Sequence, residues 1–88
     1  MIAKIDYVHV HAVADDMITY ANSFKRGYVK HWKAHGICVT IAELANIGTN
    51  DIRDGDRIDN YVANCLEMEG FTKETCNLIA TWIKNKLF

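Results

Sequence analysis

The apolar residues in the first third of the chain recur at intervals of three and four, as they do on the buried face of a helix. This stripe comprises Val10, Val13, Met17, Tyr20 and Phe24, and it continues after Gly27 with Tyr28 and Trp32. The spacing predicts a long first helix, distorted at Gly27. In that helix Phe24, Tyr28 and Trp32 would pack inward and leave the lysines as a solvated face.

The start of this helix is open to two interpretations. Residues 7–12 alternate with period two and are rich in β-branched side chains, a pattern typical of a strand. A strand at residues 4–12 would need a partner strand, which a second copy of the chain would supply. The strand would therefore itself indicate a dimer. We favour the helix over the strand.

Two shorter helices are predicted in the middle of the chain. Thr40 and Glu43 have the spacing of a capping box, in which two side chains satisfy free backbone N–H groups at a helix start. They predict that the second helix begins at Thr40. After a polar turn at residues 48–51, an apolar stripe predicts a third helix that ends at Gly70. The stripe consists of Ile58, Tyr61, Val62, Cys65 and Leu66.

The last predicted helix begins after Thr72, whose hydroxyl can cap its first turn. Its apolar stripe consists of Leu78, Ile79, Trp82, Ile83 and Leu87, with Lys84 and Lys86 near the C-terminal end, where they suit the helix dipole. A chain of 88 residues has room for one core, which makes residues 1–88 a single domain. The predicted fold is mainly all-α, a small four-helix domain, with a short N-terminal strand as the alternative at residues 4–12.

Three pieces of the central segment share a pattern with a known family. They are Gly36, residues 40–45 with the sequence Thr-Ile-Ala-Glu-Leu-Ala, and residues 66–71 with the sequence Leu-Glu-Met-Glu-Gly-Phe. Together they resemble the winged helix-turn-helix family, whose members often run through such a glycine and such a pair of helices. The resemblance implies a helix-turn-helix core in a small regulatory module that binds DNA, expected to be a homodimer.

The resemblance also implies which side chains would contact DNA. The third helix would lie in a groove with four side chains toward the bases, namely Arg53, Arg57, Asn60 and Asn64. The basic residues of the first helix would contact phosphates, namely Lys25, Arg26, Lys30 and Lys33. Asparagine can pair with both polar groups of an adenine edge in the major groove, and the two asparagines lie one helical turn apart.

The charge of the chain supports a second interpretation. The formal net charge is −1 at pH 7, whereas most nucleic-acid-binding modules are clearly basic. Carboxylates crowd the region of the third helix, at Asp51, Asp54, Asp56, Asp59 and Glu67. The alternative is therefore an acidic-faced protein-binding module. It would be an inhibitor or adaptor, such as a phage or mobile-element anti-defence protein, that blocks the basic surface of a nucleic-acid-binding partner.

Histidines supply the remaining candidate chemistry, since His31 and His35 are one helical turn apart. Such a pair could bind one Zn²⁺, with Cys38 or His9 as a further ligand, although surface histidines without a ligand role are the simpler explanation. Trp32 occupies the position where the zinc-protease motif requires a glutamate, which excludes that class. No phosphate-binding loop or nucleophile motif is present, so we expect neither an enzyme nor a cofactor.

The cysteines and the apolar runs bear on cellular location. Cys38, Cys65 and Cys76 are odd in number, and Cys65 falls on an apolar face, which favours reduced thiols over disulfides. The longest apolar run is too short to span a bilayer, and the N-terminus lacks the features of a signal peptide. We therefore expect a cytoplasmic protein without a membrane partner.

Overall fold

Four α-helices make up most of the structure, a computed structural model that describes residues 6–25, 27–46 and 57–88. They are α1 (Tyr7–Asn22), α2 (His31–Asn46), α3 (Arg57–Leu66) and α4 (Lys73–Leu87), with a 3₁₀ turn at Glu67–Glu69. Within the described ranges there is no strand, so the predicted all-α class and four-helix count are confirmed. The radius of gyration is 12.1 Å, close to the value of about 12 Å for a compact chain of this length.

Helix α1 resolves the ambiguity at the N-terminus. A carboxylate oxygen of Asp6 accepts a hydrogen bond from the Val8 N–H at 3.0 Å and so caps the first turn. The predicted stripe then faces the core, with Val10, Val13 and Met17 buried. The strand alternative is wrong for residues 7–12, and residues 4 and 5 lie outside the described ranges. The argument for a dimer from strand pairing falls with it.

The predicted long first helix is interrupted after residue 22. Its first part is α1, and its last part belongs to the start of α2, which also contains the predicted second helix. Helix α1 ends at Asn22, whose side-chain oxygen accepts a hydrogen bond from the backbone N–H of Val29 at 3.1 Å. Val29 is fully buried, so the connector, described at residues 23–25 and 27–30, inserts an apolar side chain into the core before α2 begins. Because the chain turns here, the four-residue spacing of Phe24, Tyr28 and Trp32 does not keep them on one helical face.

Helix α2 begins at His31, nine residues before the start that the capping box predicts. Thr40 and Gly36 therefore lie inside a helix. The physical reason is an unbroken buried stripe that crosses both positions: Ala34, Ile37, Cys38, Ile41 and Ala42. Burying these side chains outweighs the cost of about 1 kcal/mol for a glycine within a helix. The predicted turn at residues 48–51 lies outside the described ranges.

Helices α3 and α4 follow the sequence prediction closely. Gly70 adopts a left-handed conformation (φ 98°) and ends the 3₁₀ turn, and the Thr72 hydroxyl caps α4 by accepting a hydrogen bond from Thr75 N–H at 3.1 Å. The predicted stripes face the core, with one exception. Leu78 is exposed although it was expected to be buried.

The helices pack mainly as two pairs, α1 with α2 and α3 with α4, and contacts between α1 and α4 join the pairs. Helices α2 and α3, which the family resemblance makes the two helices of a helix-turn-helix, touch each other only marginally. The described packing does not confirm a helix-turn-helix core, because that motif pairs its two helices directly.

Candidate functional site

The outer face of α3 carries three of the predicted base-contacting residues. Arg57, Asn60 and Asn64 are exposed, and their i, i+3, i+7 spacing aligns them along one side of the helix. Their side chains form no hydrogen bond or ion pair with other residues in the described ranges. The fourth predicted contact, Arg53, lies outside the described ranges. The row is thus free to contact a ligand.

One of the predicted acidic contacts is engaged within the protein. Asp59 is half-buried and faces α4, where Nζ of Lys84 lies 3.0 Å from its Oδ1 atom. No described group hydrogen-bonds to this buried oxygen, so the ammonium charge is what compensates it. Glu67 is exposed. The other predicted acidic contacts, Asp51, Asp54 and Asp56, lie outside the described ranges.

The connector between α1 and α2 exposes two aromatic side chains that were expected to pack inward. Tyr28 is 61% exposed and Trp32 is 67% exposed. Phe24, in contrast, is half-buried and contacts the ring of Tyr20 edge-on, with the ring centroids 5.2 Å apart. Val29 and the buried residues of α2 fill this part of the core instead, and Tyr28 and Trp32 lie outside it.

The cations of this region divide into two kinds. Lys25 and Lys30 are exposed. Lys33, in contrast, is half-buried, and its ammonium donates a hydrogen bond to the Glu69 carboxylate at 3.0 Å. Its charge is therefore largely compensated within the protein. Arg26 lies outside the described ranges.

The 3₁₀ turn at the end of α3 lies directly beside this connector. The Tyr28 N–H donates to the carbonyl of Glu69 at 3.4 Å, and the neighbouring Met68 is 73% exposed. The backbone hydrogen bond places the turn that carries Met68 next to the backbone of Tyr28, four residues before Trp32. We refer to Tyr28, Trp32 and Met68 as the aromatic patch.

A second group of side chains joins α1 to α2, and we call it the histidine cluster: His11, Asp15, His31 and His35. The Asp15 Oδ1 atom lies 2.7 Å from Nε2 of His35 and 3.5 Å from Nε2 of His31. Nδ1 of His35 lies 2.6 Å from Nδ1 of His11, within hydrogen-bond distance. The His35 ring stacks on that of His31, with the centroids 4.1 Å apart, and the His11 ring lies beside it, with the centroids 4.9 Å apart.

The further zinc ligands expected from the sequence lie elsewhere. Cys38 is buried in the core, where its thiol is 3.9 Å from the sulfur of Met17, and burial raises its pKa to about 12. His9 contacts the carbonyl oxygen of Lys86 at 2.9 Å instead. The sequence does contain a signal for the true neighbours, since His11 and Asp15 have the same i, i+4 spacing as the two predicted histidines.

All three cysteines are free, as expected: Cys38 and Cys76 are buried, and Cys65 is half-buried. None of the described helices is both long and apolar enough to cross a membrane. Comparison of the chain with protein-family models, with curated proteins and with solved structures gives no match.

Proposed function

We propose that the protein is a small regulatory module that binds DNA, and that the aromatic patch with Lys25 and Lys30 is a major part of its contact surface. The observation that carries the proposal is the exposure of Tyr28 and Trp32 beside these cations. Aromatic rings stack on unpaired bases, and lysines neutralise the phosphates between them.

The exposure of this patch is unusual for a surface without a ligand. Burying a large apolar side chain stabilises a protein by about 1.5–3 kcal/mol, and single exposed apolar residues need no explanation. Here, however, two aromatic residues lie within five positions, and an exposed methionine lies on the adjoining turn. Their grouping supports a binding role.

The exposed row on α3 supports a second contact, with the groove of a duplex. Asn60 and Asn64 could read base edges, and Arg57 could contact a base or a phosphate. The main objection to this role is repulsion by neighbouring carboxylates. Repulsion by Asp59 is weakened, because that carboxylate faces α4 and its charge is compensated by Lys84.

Fluorescence anisotropy with labelled single-stranded and duplex DNA, at low and moderate salt, tests the proposal. Trp32→Ala and Tyr28→Ala should each weaken single-strand binding by about 1–3 kcal/mol, or roughly 5- to 150-fold. Leu78→Ala is the matched control, because it removes an exposed apolar side chain from α4 and should leave binding unchanged. Absence of binding at low salt would refute the proposal.

Two further variants locate the contacts. Trp82→Phe leaves Trp32 as the only tryptophan, so quenching of its fluorescence by DNA would report stacking directly. Arg57→Ala should weaken duplex binding and reduce its salt dependence if α3 lies in a groove. Unchanged duplex binding would restrict the contact to the aromatic patch. Light scattering in parallel tests the expected homodimer.

The second candidate is a protein-binding inhibitor or adaptor in the cytoplasm. It is favoured by the composition of the aromatic patch, since tryptophan, tyrosine and methionine are enriched at protein interfaces and often anchor them. The net charge of −1 also agrees better with a protein partner than with DNA. Failure to bind DNA, together with loss of a captured partner in Trp32→Ala but not in Leu78→Ala, would favour this candidate.

A further inference from the structure

Two pairs of metal-ligating side chains face each other across the α1–α2 interface. Asp15 lies one turn after His11 on α1, and His35 lies one turn after His31 on α2. We propose that Asp15, His31 and His35 bind a divalent transition-metal ion such as Zn²⁺. The site would link the two helices, and it does not depend on the proposed binding of DNA.

The positions of the ligand atoms suit such an ion. One atom from each of the three residues can be chosen so that all lie within 4.8 Å of one another. In a tetrahedral zinc site with bonds of about 2.0–2.1 Å, ligand atoms are about 3.3 Å apart. The separation of 3.5 Å between Asp15 and His31 already matches this value, and the 2.7 Å between Asp15 and His35 needs a shift of less than 1 Å.

Both residues that must adjust have room to do so. The side chains of His31 and Asp15 are 73% and 62% exposed, whereas that of His35 is 15% exposed and is held by the His31 ring and by its hydrogen bond with His11. His35 therefore provides a fixed ligand, and the other two can close on the ion from the solvent side. Three protein ligands leave a fourth position for water, and imidazole nitrogen with carboxylate oxygen is a donor set that zinc accepts.

His11 supports the site by contacting a ligand, without binding the ion itself. A histidine that binds a metal through Nε2 carries its proton on Nδ1, and a hydrogen bond from that N–H fixes the tautomer and the ring orientation. Nδ1 of His35 lies 2.6 Å from Nδ1 of His11, which can accept this hydrogen bond. His11 is therefore assigned as a positioning residue.

Isothermal titration of chelator-treated, reduced protein with Zn²⁺ tests the site. The expected result is one equivalent bound with a dissociation constant tighter than about 100 µM, and a weaker value would overturn the proposal. Asp15→Asn, His31→Gln and His35→Gln should each reduce affinity more than about tenfold. His9→Gln is the control, because His9 lies outside the cluster, and it should bind like the wild type. Equal effects of the control and the cluster variants would also overturn the proposal.

The absorption spectrum of bound Co²⁺ distinguishes metal binding at this site from metal binding by cysteine thiolates. Co²⁺ bound by Asp15, His31 and His35 should show no thiolate-to-metal charge-transfer band, and His11→Gln should weaken its binding by about tenfold. A charge-transfer band would assign the metal to cysteine thiolates and overturn the proposal. An excess of Zn²⁺ should also raise the thermal midpoint of the wild type but not of His35→Gln, and a chelator should reverse the rise.

Discussion

Substituting alanine at Gly27 and at Gly36 should change stability in opposite directions. A Cβ atom at Gly27 would lie 2.7 Å from the carbonyl oxygen of Glu69 and 2.7 and 2.9 Å from two carbons of the Phe71 ring. Neither neighbour can move easily, because one is backbone and the other is a buried side chain, 3% exposed. Overpacking of this kind costs about 1–3 kcal/mol.

Gly36 is the matched control. It lies inside α2, is exposed, and a Cβ atom there would meet nothing within 4 Å. Alanine at such a position stabilises a helix by about 0.5–1 kcal/mol, because it lowers the backbone entropy of the unfolded chain. The same chemical change should therefore lower the free energy of unfolding at Gly27 and raise it at Gly36.

Urea unfolding and thermal unfolding, both followed by far-UV circular dichroism, measure the two changes. The thermal midpoint should fall by about 4–24 °C for Gly27→Ala and rise by about 2–8 °C for Gly36→Ala, since 1 kcal/mol corresponds to about 4–8 °C in a domain of this size. The urea dependence of unfolding should be unchanged in both variants. Equal stability of the two variants would refute the close approach of the connector to the 3₁₀ turn.

Two further predictions concern the core. Trp82 is half-buried and stacks on Tyr20 with the ring centroids 5.2 Å apart, so Trp82→Ala should cost about 2 kcal/mol, less than the 3–5 kcal/mol of a fully buried tryptophan, as measured by urea unfolding. Burial raises the pKa of Cys38 from 9.0 to about 12, so between pH 9 and about pH 12 the thiol ionises mainly in the unfolded chain. Stability should be level below pH 9 with respect to this group and fall above it, and Cys38→Ala should reduce that fall.

The second half of the fold was predictable because its signals are local. Gly70 in a left-handed conformation and the Thr72 cap each act within a few residues, and the sequence shows them directly. The break between α1 and α2 depends on distant contacts. Gly27 packs against Glu69 and Phe71, more than forty residues away, so its spacing in the sequence indicated only a distortion.

In the candidate sites, too, features set by local sequence were predictable and features set by distant contacts were not. Arg57, Asn60 and Asn64 are exposed because the opposite face of α3 is strongly apolar, a pattern that the sequence shows; their contact with DNA stays a prediction. The exposure of Trp32 was missed because Val29, not Trp32, fills the core where the chain turns. Asp15 was missed as a neighbour of the histidines, since only the packing of α1 on α2 brings them together.

The first turn of α2 explains how the two proposed sites relate. Successive residues of a helix project about 100° apart, so His31 and Lys33 extend from opposite sides of the helix with Trp32 between them. His31 lies beside Asp15 of α1, and Lys33 is bonded to Glu69 of the 3₁₀ turn. The backbone that carries Trp32 is therefore held from two sides while its ring stays exposed. A contact surface that is already ordered loses less entropy when it binds, and a metal ion on His31 would strengthen one of the two anchors.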